Sequence, residues 1–280
     1  MYMRKALLLV VAALFLLFPV NAIAQQSAAE AAFQNQRYRS YAAENPELTL
    51  HEVHIAIKLK LDEESYTNVV VANRPGALGV LVGKHYGLPL TYVPSPLVAV
   101  DEIYAMPGVY LRADCYEAFL AMVHGMEREG LSLYIKSGYR MNRENENPND
   151  MWNAWPGHSE HQTGCAIDLR LKAQTHTLLR EYKYETTAEY AWLCENAYKY
   201  GFILSYPEGE KEITGFEFEP WHWRYVGVRI ATDMREKGFS TFPEYWALYL
   251  MQLETRPCQA EQALIKDICL FPHICHSYEA

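Results

Sequence analysis

The sequence predicts a domain built of both helices and strands, and three observations carry that prediction. Apolar residues alternate strictly in Leu131 to Lys136, Cys165 to Leu171 and Trp221 to Tyr225; they recur at helical spacing in other segments; and cap or turn signals separate the two kinds of stretch. At 280 residues, half of them hydrophobic, the chain can bury one sizeable core, or a core with a small attached subdomain.

Residues 1–24 read as an export signal. Arg4 and Lys5 form a basic start, Ala6 to Val20 is apolar but short of a spanning helix, and Ala22-Ile23-Ala24 is a small-x-small cleavage site. No cysteine follows the apolar run, so a lipid anchor is not expected, and the mature chain would begin at Gln25 as an exported protein without stable membrane insertion. Loss of Arg4 and Lys5 leaves 23 basic against 34 acidic residues, a net charge of −11. That balance disfavours nucleic acid and anionic membrane as partners.

Residues 25–45, rich in Ala, Gln and Asn, read as a leader or a loosely docked helix, and Pro46 opens a helix to Leu61 carrying Val53, Ile57 and Leu61. His51 and His54 lie three apart on it and read as a solvated face. Asn73 to Pro96, rich in Gly and Pro, is a loop that wraps the core, with His85 a surface or packing residue. Cys115, Ala118, Phe119, Met122 and Met126 follow helical spacing, with Gly130 placed as a C-cap. The strand Leu131 to Lys136 then runs into Ser137 to Arg140, and Asn142 to Pro156 is a polar loop. Thr186 and Glu189 form a capping box for a helix that stops at Gly201. Phe202 to Tyr206 is a short strand, Tyr245 to Leu253 a last helix, and 254–280 a tail. Six cysteines in an exported chain permit disulfides, expected first among Cys258, Cys269 and Cys275 in the tail; Cys115, Cys165 and Cys194 read as buried thiols. Cys269, His273, Cys275 and His276 could imitate a metal cluster, but disulfide use is favoured.

The chemistry concentrates in Gly157 to Leu169 and Phe218 to Gly227. In the strand Cys165 to Leu171, the period of two puts Asp168 opposite the apolar set of Cys165, Ile167 and Leu169. Trp221, Trp223 and Tyr225 share one face of the later strand, and His222 and Arg224 the other. Catalytic zinc takes three ligands from His, Asp and Glu and keeps one position open, an inventory that His161, Asp168 and His222 fit. Glu219, three residues before His222, remains as a carboxylate able to take a proton from water and pass it to a leaving amine, which points to amide hydrolysis. His158 reads as an incidental loop histidine. Arg140, past a strand end, reads on its own as a surface arginine pairing with Glu144 or Glu146.

The stretch SEHQTGCAID resembles the S-x-H-x-x-G-x-A-x-D signature of the zinc D-alanyl-D-alanine carboxypeptidases of the vancomycin-resistance type, and EPWHWRYVG resembles their E-x-x-H element. SGYR and WLCENAYKYGF extend the likeness over roughly Leu48 to Leu250. The resemblance implies an α+β fold, a small antiparallel sheet flanked by helices with a zinc site in a cleft, as in the hedgehog/DD-peptidase group, spanning 46–253. It implies zinc on His161, Asp168 and His222, Glu219 as base and acid, Arg140 on the substrate carboxylate or oxyanion, and Ser159 against the substrate. The implied substrate is the D-Ala end of a peptidoglycan stem peptide, met in the periplasm or outside the cell. Asn145 and Ser205 depart from residues common in that family and lie where the substrate should pass. The scissile bond therefore stays open between D,D-carboxypeptidase, L,D-carboxypeptidase and endopeptidase. A non-catalytic wall-binding or signalling module on the same scaffold is the reading of a different class, and Glu219 argues against it.

Overall fold

The computed structural model describes residues 35–251 apart from 142–146, 148 and 175–182. The export signal, most of the leader, Asn145 and the tail cysteines lie outside the described residues. The chain divides into two compact units, 1–64 and 65–280, so the expected 46–253 domain spans the division.

The first unit holds α1 (Gln36–Glu44) and α2 (Leu50–Leu59). Helix α2 starts four residues later than Pro46 because Thr49 and Glu52 close a capping box, each side chain bonded to the other's backbone N–H. It ends where Lys60 turns left-handed at φ 62°. His54, expected on a solvated face, is buried with Val53, Ile55, Ala56, Ile57 and Leu59, its ring beside Tyr38. Burial pushes its pKa down to about 4, so it is a neutral packing residue.

The second unit is built on a four-stranded antiparallel sheet in the order β5-β6-β8-β7, formed by β5 (Tyr134–Ser137), β6 (Ala166–Arg170), β7 (Phe202–Leu204) and β8 (His222–Tyr225). Two small sheets precede it: β1 (Val70–Val71) pairs in parallel with β2 (Tyr86–Gly87), and β3 (Leu97–Ala99) runs antiparallel to β4 (Tyr110–Arg112). Helix α3 (Ala113–Glu127) buries Cys115, Phe119, Met122, Val123 and Met126 in one core with Ile135, Ile167, Leu169, Phe202 and Trp223, the apolar face of the sheet. Each such side chain taken from water stabilises the fold by about 1.5–3 kcal/mol. Helix α3 ends at Glu127 with Arg128 as its C-cap, and Gly130 takes positive φ two residues beyond the cap.

The opposite face carries Asp168, Arg170, His222 and Arg224, and all four are buried. The Gly- and Pro-rich stretch 73–96 covers part of it: Arg224 donates to the carbonyls of Val80 at 2.6 Å and Leu78 at 3.3 Å, and Val80, Val82 and Leu88 form a satellite cluster. The sheet is thus buried on both faces, so its polar residues must satisfy one another.

Helix α4 (Ala188–Asn196) starts one residue later than its expected capping box. The Thr186 hydroxyl is used in the preceding 3-10 turn, where it donates to Lys183, and Thr187 instead accepts from the Tyr190 N–H. The chain then passes a 3-10 turn, Ala197–Tyr200, to Gly201. After α5 (Lys211–Thr214) and β8 come α6 (Val228–Lys237) and α7 (Phe242–Tyr245), and the last helix continues as a π turn, Trp246–Leu250.

Gly201 has φ 85°, and a Cβ there would lie 2.6 Å from the Tyr225 ring and 2.7 Å from the Val228 nitrogen. Gly209 shares the φ of 85° but has nothing within 4 Å of the added carbon. Gly209→Ala should therefore lose about 1–2 kcal/mol, the cost of a left-handed alanine, and Gly201→Ala clearly more. Urea unfolding of the two variants would measure the difference.

Candidate metal centre and catalytic cleft

Antiparallel pairing puts Asp168 of β6 directly opposite His222 of β8, and a bulge in β5 sets Ser137 beside Asp168. His161 comes from the 3-10 turn Glu160–Thr163, stopped by Gly164 at φ 72°. The turn needs glycine there on two counts, since a Cβ would also sit 2.9 Å from Pro94. His161 Nδ1 donates to the Gly138 carbonyl at 2.7 Å, which leaves Nε2 with the lone pair. Nε2 is buried without a hydrogen-bond partner among the described residues and faces Asp168 Oδ2 at 3.2 Å.

His222 Nδ1 lies 3.0 Å from Asp168 Oδ1, and the two imidazoles stand nearly perpendicular at 88°. Donor atoms of His161, Asp168 and His222 all lie within 4.8 Å of one another. Two nitrogens and a carboxylate converging in a buried place suit zinc, and an imidazole nitrogen left there without a hydrogen bond fits a ligand awaiting a cation. Burial holds His161 at about 4, neutral and ready to ligate. For His222 burial acts downward, but hydrogen bonds to Asp168 and Glu160 prevail and push it up to about 10. Burial acts upward on Asp168, yet the two histidines hold its carboxyl well below the usual range.

Glu219 Oε2 lies 3.7 Å from His222 Nδ1, and the residue is 7% exposed. Burial, aided by the charge of Asp168, raises its carboxyl to about 8 against the pull of His222 and Arg140. In the metal-free site the carboxyl is thus held toward its neutral acid, and a cation on the neighbouring ligands would draw it back toward the carboxylate that can accept a proton. Its backbone is fixed by Glu219 N–H to Tyr206 and by His222 N–H to Glu219.

The cleft above is lined by Arg140, Ser159, His161, Glu219 and His222, with Trp152, Trp155, Tyr206 and Phe216 as aromatic walls. The structure thus brings Arg140, Ser159 and Glu219 together with the three metal candidates. Ser205 is placed elsewhere: it is 4% exposed beneath the cleft, and its hydroxyl donates to Glu160 at 2.6 Å in place of facing a substrate. His158 is a packing residue, its Nδ1 at 2.7 Å from the Gly83 carbonyl and its ring edge-on to Tyr66. Cys115 and Cys165 are buried as expected, whereas Cys194 is exposed because it falls on the outer side of α4.

Sequence reasoning missed Glu160 and the aromatic walls. Glu160 is 5% exposed, accepts from Arg224 at 2.9 Å and lies 3.0 Å from His222 Nε2. A signal existed: Arg224 shares the face of His222, and an arginine on a buried face requires an anion.

Residues 108–228, which contain this whole centre, match the VanY family model, described as D-alanyl-D-alanine carboxypeptidase. The chain belongs to the VanY family of D-alanyl-D-alanine carboxypeptidases, and is a peptidase of that family. It is 35% identical over 188 residues to the putative carboxypeptidase YodJ of Bacillus subtilis (strain 168), covering 61% of this chain and 68% of that protein. It is 32% identical over 165 residues to the bifunctional D-Ala-D-Ala dipeptidase and D-Ala-D-Ala carboxypeptidase VanXYC of Enterococcus gallinarum, covering 53% and 83%. Among solved structures it is similar to the LdcB LD-carboxypeptidase, with a TM-score of 0.56 and 32% identity over 64% of this chain and 90% of that one. Among the described residues no helix is long and apolar enough to cross a membrane.

His161→Ala should abolish stoichiometric zinc binding. Gly138→Ala, whose Cβ would lie 2.5 Å from the Tyr110 carbonyl, should displace the acceptor that orients His161 and weaken zinc about 10–100-fold. Competition titration against a chromophoric chelator reads both; full zinc occupancy in His161→Ala would remove that residue from the ligand set.

Proposed function

We propose that the chain is an exported zinc-dependent carboxypeptidase that hydrolyses the terminal D-Ala of peptidoglycan stem peptides. The observation that carries this reading is the convergence of His161, Asp168 and His222 within 4.8 Å, with the Glu219 carboxyl beside them at the floor of an open cleft. Export rests on the sequence of residues 1–24, and it agrees with a substrate outside the cytoplasm.

His161, Asp168 and His222 would hold the zinc, which when bound would supply Lewis acidity to the scissile carbonyl and the attacking water. Glu219 accepts the proton that water loses as its oxygen bonds to the carbonyl carbon. It then delivers that proton to the amine nitrogen as the C–N bond breaks, so one water is consumed and free D-Ala leaves. Arg140 offers a planar cation at the cleft, placed to hold the substrate's terminal carboxylate or the developing oxyanion, and Ser159 offers a hydroxyl to the peptide. Trp152, Trp155, Tyr206 and Phe216 give the cleft apolar walls.

The L,D-carboxypeptidase is a second reading, favoured by the similarity to the LdcB LD-carboxypeptidase over 90% of that chain. Both readings use the same centre and differ in the residue that precedes the scissile bond.

Incubation of the zinc-loaded mature protein with pentapeptide and tetrapeptide stems, followed by mass spectrometry, tests the proposal. The expected result is loss of one D-Ala from the pentapeptide, abolished by chelator. Loss from the tetrapeptide alone would establish the L,D enzyme, internal cleavage an endopeptidase, and no cleavage with zinc in place would overturn hydrolysis in favour of binding. Glu219→Gln should keep zinc and lower kcat about 10²–10⁴-fold. Arg140→Ala should lower kcat/KM several hundredfold, about 3–4 kcal/mol; an unchanged kcat/KM on a free-carboxylate peptide would return Arg140 to a surface role.

A further inference from the structure

Beneath the cleft, a buried polar chain runs from the metal candidates into the body of the sheet. Glu160 Oε2 lies 3.0 Å from His222 Nε2 and accepts from the Ser205 hydroxyl at 2.6 Å, while Oε1 accepts from Arg224 Nη1 at 2.9 Å. Arg224 is fixed in turn by the carbonyls of Leu78 and Val80 and by the face of the Phe242 ring, 5.2 Å from its guanidinium carbon. Glu160, Ser205, His222 and Arg224 are all at most 5% exposed. No part of this chain lines the cleft except His222.

We infer that Glu160, held by Arg224 and Ser205, is a positioning residue that keeps the Nε2 proton on His222 and thereby presents the Nδ1 lone pair as the metal ligand. The inference rests on the zinc reading above and adds to it the residue that selects which nitrogen binds. Both oxygens of Glu160 are acceptors already occupied by other donors, so the nitrogen that faces Oε2 is required to be a donor as well. With Asp168 facing Nδ1 and Glu160 facing Nε2, His222 without metal carries a proton on both nitrogens; a cation bound at Nδ1 would replace the proton there, and the one that Glu160 holds at Nε2 remains. His161 shows the same logic in mirror image, since the Gly138 carbonyl takes Nδ1–H and leaves Nε2. The two histidines thus ligate through opposite nitrogens, each chosen by an acceptor on its far side.

A substitution that changes only one atom of Glu160 should therefore matter. In Glu160→Gln the amide NH2 cannot face Arg224, because two donors would oppose each other. The NH2 is driven to the side of Ser205 and His222, where it donates to Nε2 and favours the tautomer with the proton on Nδ1, the form that cannot ligate.

The test uses the full mature protein with wild type, Glu160→Gln, Ser205→Ala and His161→Ala. Long-range 1H–15N NMR of the zinc-loaded wild type, labelled at histidine, should show His222 protonated at Nε2, and a proton at Nδ1 would overturn the inference. Zinc affinity by chelator competition should fall about 10–100-fold in Glu160→Gln and several-fold in Ser205→Ala, with far-UV circular dichroism unchanged. Unchanged affinity in both folded variants would also overturn it. If Glu160→Gln fails to fold, the wild-type tautomer and Ser205→Ala still decide. Retention of zinc by His161→Ala would instead sink the zinc assignment itself, so the two failures are distinguishable.

Discussion

The pairing of Asp168 with His222 across β6 and β8 is the constraint on which the site depends. One carboxylate sits 3.0 Å from His222 Nδ1 and 3.2 Å from His161 Nε2, so a single β register fixes two of three donors and orients the third. A slip of one residue would turn Asp168 toward the apolar core and Ile167 toward the cleft. That slip is opposed on both faces, by the burial of Ile167 in one core with Phe119 and Met122 and by Arg224 reaching Glu160.

Burying so many ionisable groups on one face is costly unless each is matched. The chain matches them with the stretch 73–96, whose carbonyls satisfy Arg224 through Leu78 and Val80 and the amide of Gln162 through Pro89 and Tyr92. Irregular backbone suits this task because its carbonyls are not committed to a ladder. Burial in turn gives the site its chemistry: it lifts Glu219 to about 8 and keeps His161 neutral. The polar network and the proton affinities of the metal-free site therefore have the same physical origin.

Much of this was legible in the sequence where periodicity was strong. The alternation in Cys165 to Leu171 and Trp221 to Tyr225 placed Asp168 and His222 on one kind of face, and the sheet joins those faces. The capping box at Thr186 was misplaced by one residue because Thr187 offers the same chemistry and Thr186 is used in a local turn. His54 was misread because a pair of histidines three apart looks solvated, whereas α2 buries more than one stripe. The family resemblance puts Ser205 on the substrate path, whereas its hydroxyl partner, Glu160, is 45 residues away in the sequence. Long-range polar pairing of this kind leaves no period in a sequence.

The most direct test of the account is X-ray absorption at the zinc edge of the zinc-loaded protein, with Asp168→Ala beside it. The account predicts one zinc per chain with only nitrogen and oxygen neighbours at about 2.0–2.2 Å, including two imidazoles, and loss of that site in Asp168→Ala. Sulfur neighbours at about 2.3 Å, or an unchanged spectrum without Asp168, would contradict it and place the metal elsewhere in the chain.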